Sequence, residues 1–89
     1  MTRRHMSAAW HCDPGDPARK LVLLALADIA DDRGIARPVP AVLAHVTNLT
    51  PAARDTALDG LEANRLIERV GRYALGPRKW RLRLPEPRA

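Results

Sequence analysis

Residues 40 to 70, PAVLAHVTNLTPAARDTALDGLEANRLIERV, leave this chain the fewest choices. Ala41, Val42 and Leu43 open a short helix that continues through Ala44 to Val46. Thr47-Asn48 makes a turn, because asparagine tolerates the left-handed backbone that many helix C-termini require. Thr50-Pro51 then starts a second helix: threonine accepts a backbone hydrogen bond as N-cap, and proline sits where its missing N–H costs nothing. Ala57, Leu58 and Leu61 recur at helical spacing up to Asn64, a second candidate left-handed cap, and Leu66-Ile67-Glu68-Arg69-Val70 alternates as a strand does. Two helices joined by a tight turn and followed by a strand define a compact unit, and the flanking segments read as its support.

The 89 residues form one domain, enough for a single core without disulfides. There is no Phe, and Trp10, Tyr73 and Trp80 are the only aromatics, so Leu, Val, Ile and Ala must build that core. The single cysteine, Cys12, excludes an intramolecular disulfide and fits a reducing cytoplasm. No apolar run reaches the roughly 18 residues that span a bilayer, and the N-terminus lacks the apolar segment of a secretory signal. Charge is uneven. Residues 1–64 hold seven Arg/Lys against eight Asp/Glu, whereas residues 65–89 hold eight against two. The whole +5 excess therefore lies in the last quarter, which points to a polyanion such as nucleic acid.

Residues 1–15 read as a loose arm, with Trp10 anchoring it to the first helix. His5, His11 and Cys12 have only His45 as a further histidine, so no metal site is expected. Asp16-Pro17 starts a helix that runs to Asp32 and is stopped by Gly34. Leu21, Leu24, Ala25, Asp28 and Ile29 form one stripe on it, with Val22, Leu23, Leu26 and Ala30 filling in around them. A helix apolar over most of its circumference is scaffold, with surface to spare for a second copy. Ile35-Ala36-Arg37 is a short strand ended by Pro38-Val39-Pro40. Gly71-Arg72 is a turn, Tyr73-Ala74-Leu75 begins a return strand, and Gly76-Pro77 interrupts it. Lys79 to Leu84 resumes it, with Trp80, Leu82 and Leu84 on one face and Lys79, Arg81 and Arg83 on the other. The predicted class is α+β: three helices with a small antiparallel hairpin, residues 16–84 as the domain and 85–89 as a tail.

KLVLLALADIADDRG, a proline-rich joint and the stretch from Pro40 resemble the winged helix-turn-helix domains of actinobacterial, plasmid and phage proteins, including replication-initiator-like proteins and small regulators. The likeness covers roughly residues 6 to 84. It implies a DNA-binding fold with the helix from Thr50 in the major groove and a β-wing on the backbone. Three positions depart from the family. Val39-Pro40 replaces a capping serine, Asn48 replaces a turn glycine, and Arg54 replaces a core valine. A buried unpaired Arg is costly, so Arg54 is expected to snorkel or to pair with Asp28 or Asp55.

On that resemblance the groove-facing residues are Thr50, Pro51, Ala52, Ala53, Asp55, Thr56 and Asp59, with Arg54 beside them. Relatives carry Arg or Lys here, whereas two aspartates repel phosphate, leaving Thr56 as the best base-edge candidate. Affinity is then expected mainly from Arg69, Arg72, Arg78, Lys79, Arg81 and Arg83, as salt-sensitive phosphate contacts. The expected function is a cytoplasmic, homodimeric, double-stranded-DNA-binding transcriptional regulator. An enzyme is not expected, nor a cofactor or small-molecule substrate: His11 and His45 have no constrained Ser or Cys nucleophile, and no Gly-rich phosphate loop is present. The competing function is a protein-interaction (dimerisation or adaptor) module, with acidic Asp55, Asp59 and Glu62 meeting a basic partner and the apolar first helix burying a second copy. The resemblance also implies an accessory role in plasmid or phage replication as a further alternative. Charge placement separates the two: cations on the side of the helix from Thr50 favour DNA, and cations facing away favour the adaptor.

Overall fold

The computed structural model describes residues 3–71 and 79–85. Its elements are α1 (Arg3–His11), α2 (Pro17–Ile29), β1 (Ile35–Ala36), α3 (Pro40–Thr47), α4 (Pro51–Ala63), β2 (Ile67–Val70) and β3 (Lys79–Leu82). The class is α+β as expected, with four helices rather than three. β3 lies between β1 and β2 and pairs antiparallel with both, giving the order β1-β3-β2. The expected strand at Tyr73-Ala74-Leu75 and its Gly76-Pro77 interruption lie outside the described residues.

α2 is the hub, touching α1, α3, α4 and β1. Asp16 caps it as expected, its carboxylate accepting from the Arg19 N–H at 2.8 Å, with Pro17 in the first turn. The buried stripe is Val22, Leu23, Leu26, Ala27 and Ala30, while Leu21 and Ile29 are 43% exposed. The residues that fill in around the predicted stripe are thus the ones in the core. The helix also ends at Ile29, short of Asp32. Its competitor is Asp31, whose carboxylate accepts from the N–H groups of Arg33 (2.9 Å) and Ile35 (3.0 Å). Aspartate that bonds nearby backbone in this way favours a turn over further helix. The bond from Ile35, aided by the one from Arg33, holds the Asp31 carboxyl below its ordinary range. Gly34 then takes a left-handed φ of 79° and its carbonyl accepts from Leu82 N–H at 2.8 Å, which seats β1 on β3.

The predicted loose arm is corrected over residues 3–11, which form α1 against α2. Ala8 and Ala9 are buried and let the two helices approach closely. The end of α1 is capped from outside: Lys20 Nζ donates to the carbonyls of Ala9 (2.8 Å), Trp10 (2.6 Å) and Cys12 (2.6 Å). A cation at a helix C-terminus satisfies carbonyls that have no partner within the helix and complements its dipole. Trp10 is no anchor, being 62% exposed. Cys12 takes that place in the core, and burial pushes its thiol pKa up although Lys20 opposes the shift.

The core lies between this helical layer and one face of the sheet. Trp80, Leu23, Leu26, Leu61, Ile67 and Val22 are its largest fully buried side chains. At the end of α4 the left-handed residue is Arg65 (φ 60°), not Asn64. Arg65 N–H donates to Glu62 O and Leu66 N–H to Leu61 O, both at 3.0 Å, the paired bonds of a Schellman motif. Leu66 packs on the core beyond it. The register of the motif puts the strained position one residue after Asn64. Arg65→Gly is therefore expected to stabilise the fold by about 1 kcal/mol, because glycine adopts this conformation without a Cβ penalty. A denaturant midpoint unchanged or lowered in that variant would contradict the assignment.

Candidate nucleic-acid interface

The helix pair α3–α4 forms by local chemistry. Val39 precedes α3 without any side-chain cap, the consequence of lacking serine there. Asn48 adopts φ 59° and donates its N–H to Ala44 O at 2.9 Å, so it closes α3 as the turn residue. Thr47, buried, donates its hydroxyl to Leu43 O at 2.7 Å. Thr50 Oγ1 then accepts from Ala53 N–H at 3.1 Å and starts α4 with Pro51 in its first turn.

α4 turns Ala57, Leu58 and Leu61 inward. Thr50, Pro51, Ala52, Asp55, Thr56 and Asp59 are exposed, and Ala53 and Arg54 are half-buried. The residues expected to face a groove thus share the solvent side of the helix, apart from Ala53 and Arg54. Arg54 pairs with neither Asp28 nor Asp55. Its Nη1 donates to Pro40 O at 3.0 Å, tying α4 to the start of α3, and its Nε is buried without a partner. A carbonyl acceptor was not legible locally, since Pro40 lies 14 residues away. The remaining exposed face carries Asp55 and Asp59, and no cation among these residues offsets them.

The strand cations divide between the two faces of the sheet. Cross-strand partners project to the same side, and the register pairs Ile67 with Leu82, Arg69 with Trp80, Glu68 with Arg81 and Val70 with Lys79. Ile67, Trp80 and Leu82 are buried under the helices, so Arg69 belongs to that face. It bonds Glu62 of α4 at 3.0 Å, and its guanidinium carbon stands 5.5 Å from the Trp80 ring centroid. Glu68, Lys79, Arg81 and Arg83 belong to the opposite, outer face, where Glu68 Oε1 accepts from Arg81 Nη1 (3.0 Å) and lies 3.5 Å from Arg83 Nη1. Arg72 and Arg78 lie outside the described residues.

These ion pairs are surface pairs, with side chains between 35% and 57% exposed, worth under about 1 kcal/mol each. They matter for the field instead. Three arginines expected to meet phosphate face Glu62 and Glu68, and the group carries +1 rather than +3. Glu62 and Glu68 are the residues that a sequence reading misses as counter-ions, because the packing of α4 on β2 sets the partner of Glu62 and strand register sets that of Glu68.

Comparison with protein-family models, with curated proteins and with solved structures finds no match. The geometry therefore stands alone. Among the described residues no group of three or more His, Cys, Asp or Glu side chains could hold a metal ion. No helix among them is long and apolar enough to cross a membrane.

Proposed function

We propose that the chain is a winged helix-turn-helix domain that binds double-stranded DNA as a transcriptional regulator, without enzymatic activity. The observation that carries this reading is topological. A scaffold helix, a short strand, two helices joined at a left-handed residue and two further strands follow one another, with sheet order β1-β3-β2. That arrangement leaves the first turns of α4 open to solvent, as major-groove entry requires. In this reading α4 lies along the groove, Thr56 meets base edges, and phosphates are met by Arg72 and Arg78 in the segment joining β2 to β3. Arg81 and Arg83 stand on the outer sheet face, where Glu68 partly offsets their charge.

Fluorescence anisotropy with a random duplex pool, across salt concentration and with recovery of bound sequences, tests the reading. Salt-sensitive binding with an enriched sequence is the expected result, and no binding even at low salt would end it. The variants locate the contact. Arg72→Ala with Arg78→Ala is expected to lower the slope of log K against log salt by about two, one unit for each lost phosphate contact. Arg81→Ala with Arg83→Ala is expected to change it by less than about one. A larger loss in the second pair than in the first would move the DNA to the outer sheet face.

The adaptor reading draws on two observations, the uncompensated Asp55 and Asp59 on the exposed side of α4 and the outer-face position of Lys79, Arg81 and Arg83, opposite to the helix-covered face. Capture of a basic protein by a chain that ignores DNA would decide for it.

A further inference from the structure

The described surface holds five large apolar side chains in one place. Leu21 and Ile29 on α2 (both 43% exposed) and Val39, Val42 and Val46 along α3 (51%, 52% and 57%) flank a groove floored by Leu24 and Leu43. Among the described residues, Asp28 is the only charged one that lines it. The groove measures about 230 Å³. That is below the roughly 300–1,000 Å³ typical of small-molecule sites, and it suits the branched side chains of another protein surface.

We propose that this groove is a homodimer interface, in which Val42 and Val46 of one copy enter the α2–α3 groove of a second copy. A two-fold contact needs a patch that complements itself. This one does, because it holds a ridge, the i and i+4 valines of α3, beside the groove that would receive it. Charge placement favours a second copy as well. The chain carries +5 overall, yet among the described residues no Arg or Lys lines the groove, so the excess positive charge is kept out of the contact.

Area sets the strength. Five half-exposed aliphatic side chains present about 400 Å² per copy, within the range of the largest patch on a typical monomer. With a polar rim the pair would bury about 1,000–1,200 Å² in total, at the small end of specific interfaces. A dissociation constant on the order of 10 μM is expected. The proposal stands apart from the DNA reading: a monomer that binds duplex would refute only the dimer, and a dimer that ignores duplex would refute only the DNA reading.

Sedimentation equilibrium from about 1 to 300 μM spans that constant and reads it directly. The wild-type chain is expected to pass from monomer to dimer. Val42→Glu with Val46→Glu is expected to stay monomeric throughout with an unchanged far-UV circular dichroism spectrum, because both positions are exposed. Val46→Ser, which removes one branched side chain per copy, keeps the test readable if the charged variant loses its fold; its dissociation constant is expected to rise roughly tenfold. Trp10→Ser, at an exposed residue outside the groove, is expected to dimerise as wild type does. A wild-type chain that is monomeric at the top concentration, or a Val46→Ser variant that dimerises as tightly as wild type, would overturn the proposal.

Discussion

Trp80→Ala is expected to cost about 4 kcal/mol, within the range for emptying a buried tryptophan site. A chain of this length is stable by only roughly 4–13 kcal/mol, so the variant would keep about 0–9 kcal/mol and reach its unfolding midpoint only at the low end of that range. The size of the effect follows from position. Trp80 is 1% exposed and lies in the central strand, opposite Ala36 of β1 and Arg69 of β2. Its indole fills the space between the sheet and the helices, in a core with no other described aromatic. It also carries the Arg69 guanidinium over its ring. Urea unfolding followed by far-UV circular dichroism gives the comparison, and Trp80→Phe should lose roughly half as much. A loss below about 1 kcal/mol would show that the three strands do not depend on this side chain.

That dependence was legible in part. The alternation of Trp80, Leu82 and Leu84 against Lys79, Arg81 and Arg83 placed the core face of β3 correctly, since strand period two needs only local sequence. The unit α3–Asn48–α4 was legible for the same reason. Asn48, Thr50 and Pro51 each act on backbone within a few residues. What escaped was settled at longer range or by competition. α1 depends on Lys20 bonding carbonyls 8 to 11 residues earlier, which no terminal sequence pattern announces. α2 is apolar nearly all round, so its period could not say which stripe meets the core and which lines the groove beside α3. Its end at Ile29 reflects the Asp31 turn winning over continued helix. In the candidate interface the exposed side of α4 was foreseen, whereas the counter-ion of Arg69 required the packing of α4 on β2 and that of Arg81 and Arg83 the register of β2 on β3.

The aspartates of α4 supply the sharpest functional test. If α4 lies in a major groove, Asp55 and Asp59 stand near two phosphate backbones, with no cation among the exposed residues of that face to offset them. Each repels the duplex, and like charges brought together at a desolvated interface cost up to several kcal/mol. Asp55→Asn with Asp59→Asn removes both charges and keeps the side-chain shape. Duplex affinity is then expected to rise by more than tenfold at low salt, with the gain shrinking as salt screens the original repulsion. The carboxamides also add donors that can read adenine, so the enriched sequences should change along with affinity. Thr56→Ala, on the same side and without a charge change, is expected to alter sequence preference more than overall affinity. An affinity that does not move in the double variant would place α4 away from the duplex. The same two aspartates would then be the natural contact for a basic protein partner, and a loss of that partner's binding in the variant would be the corresponding result.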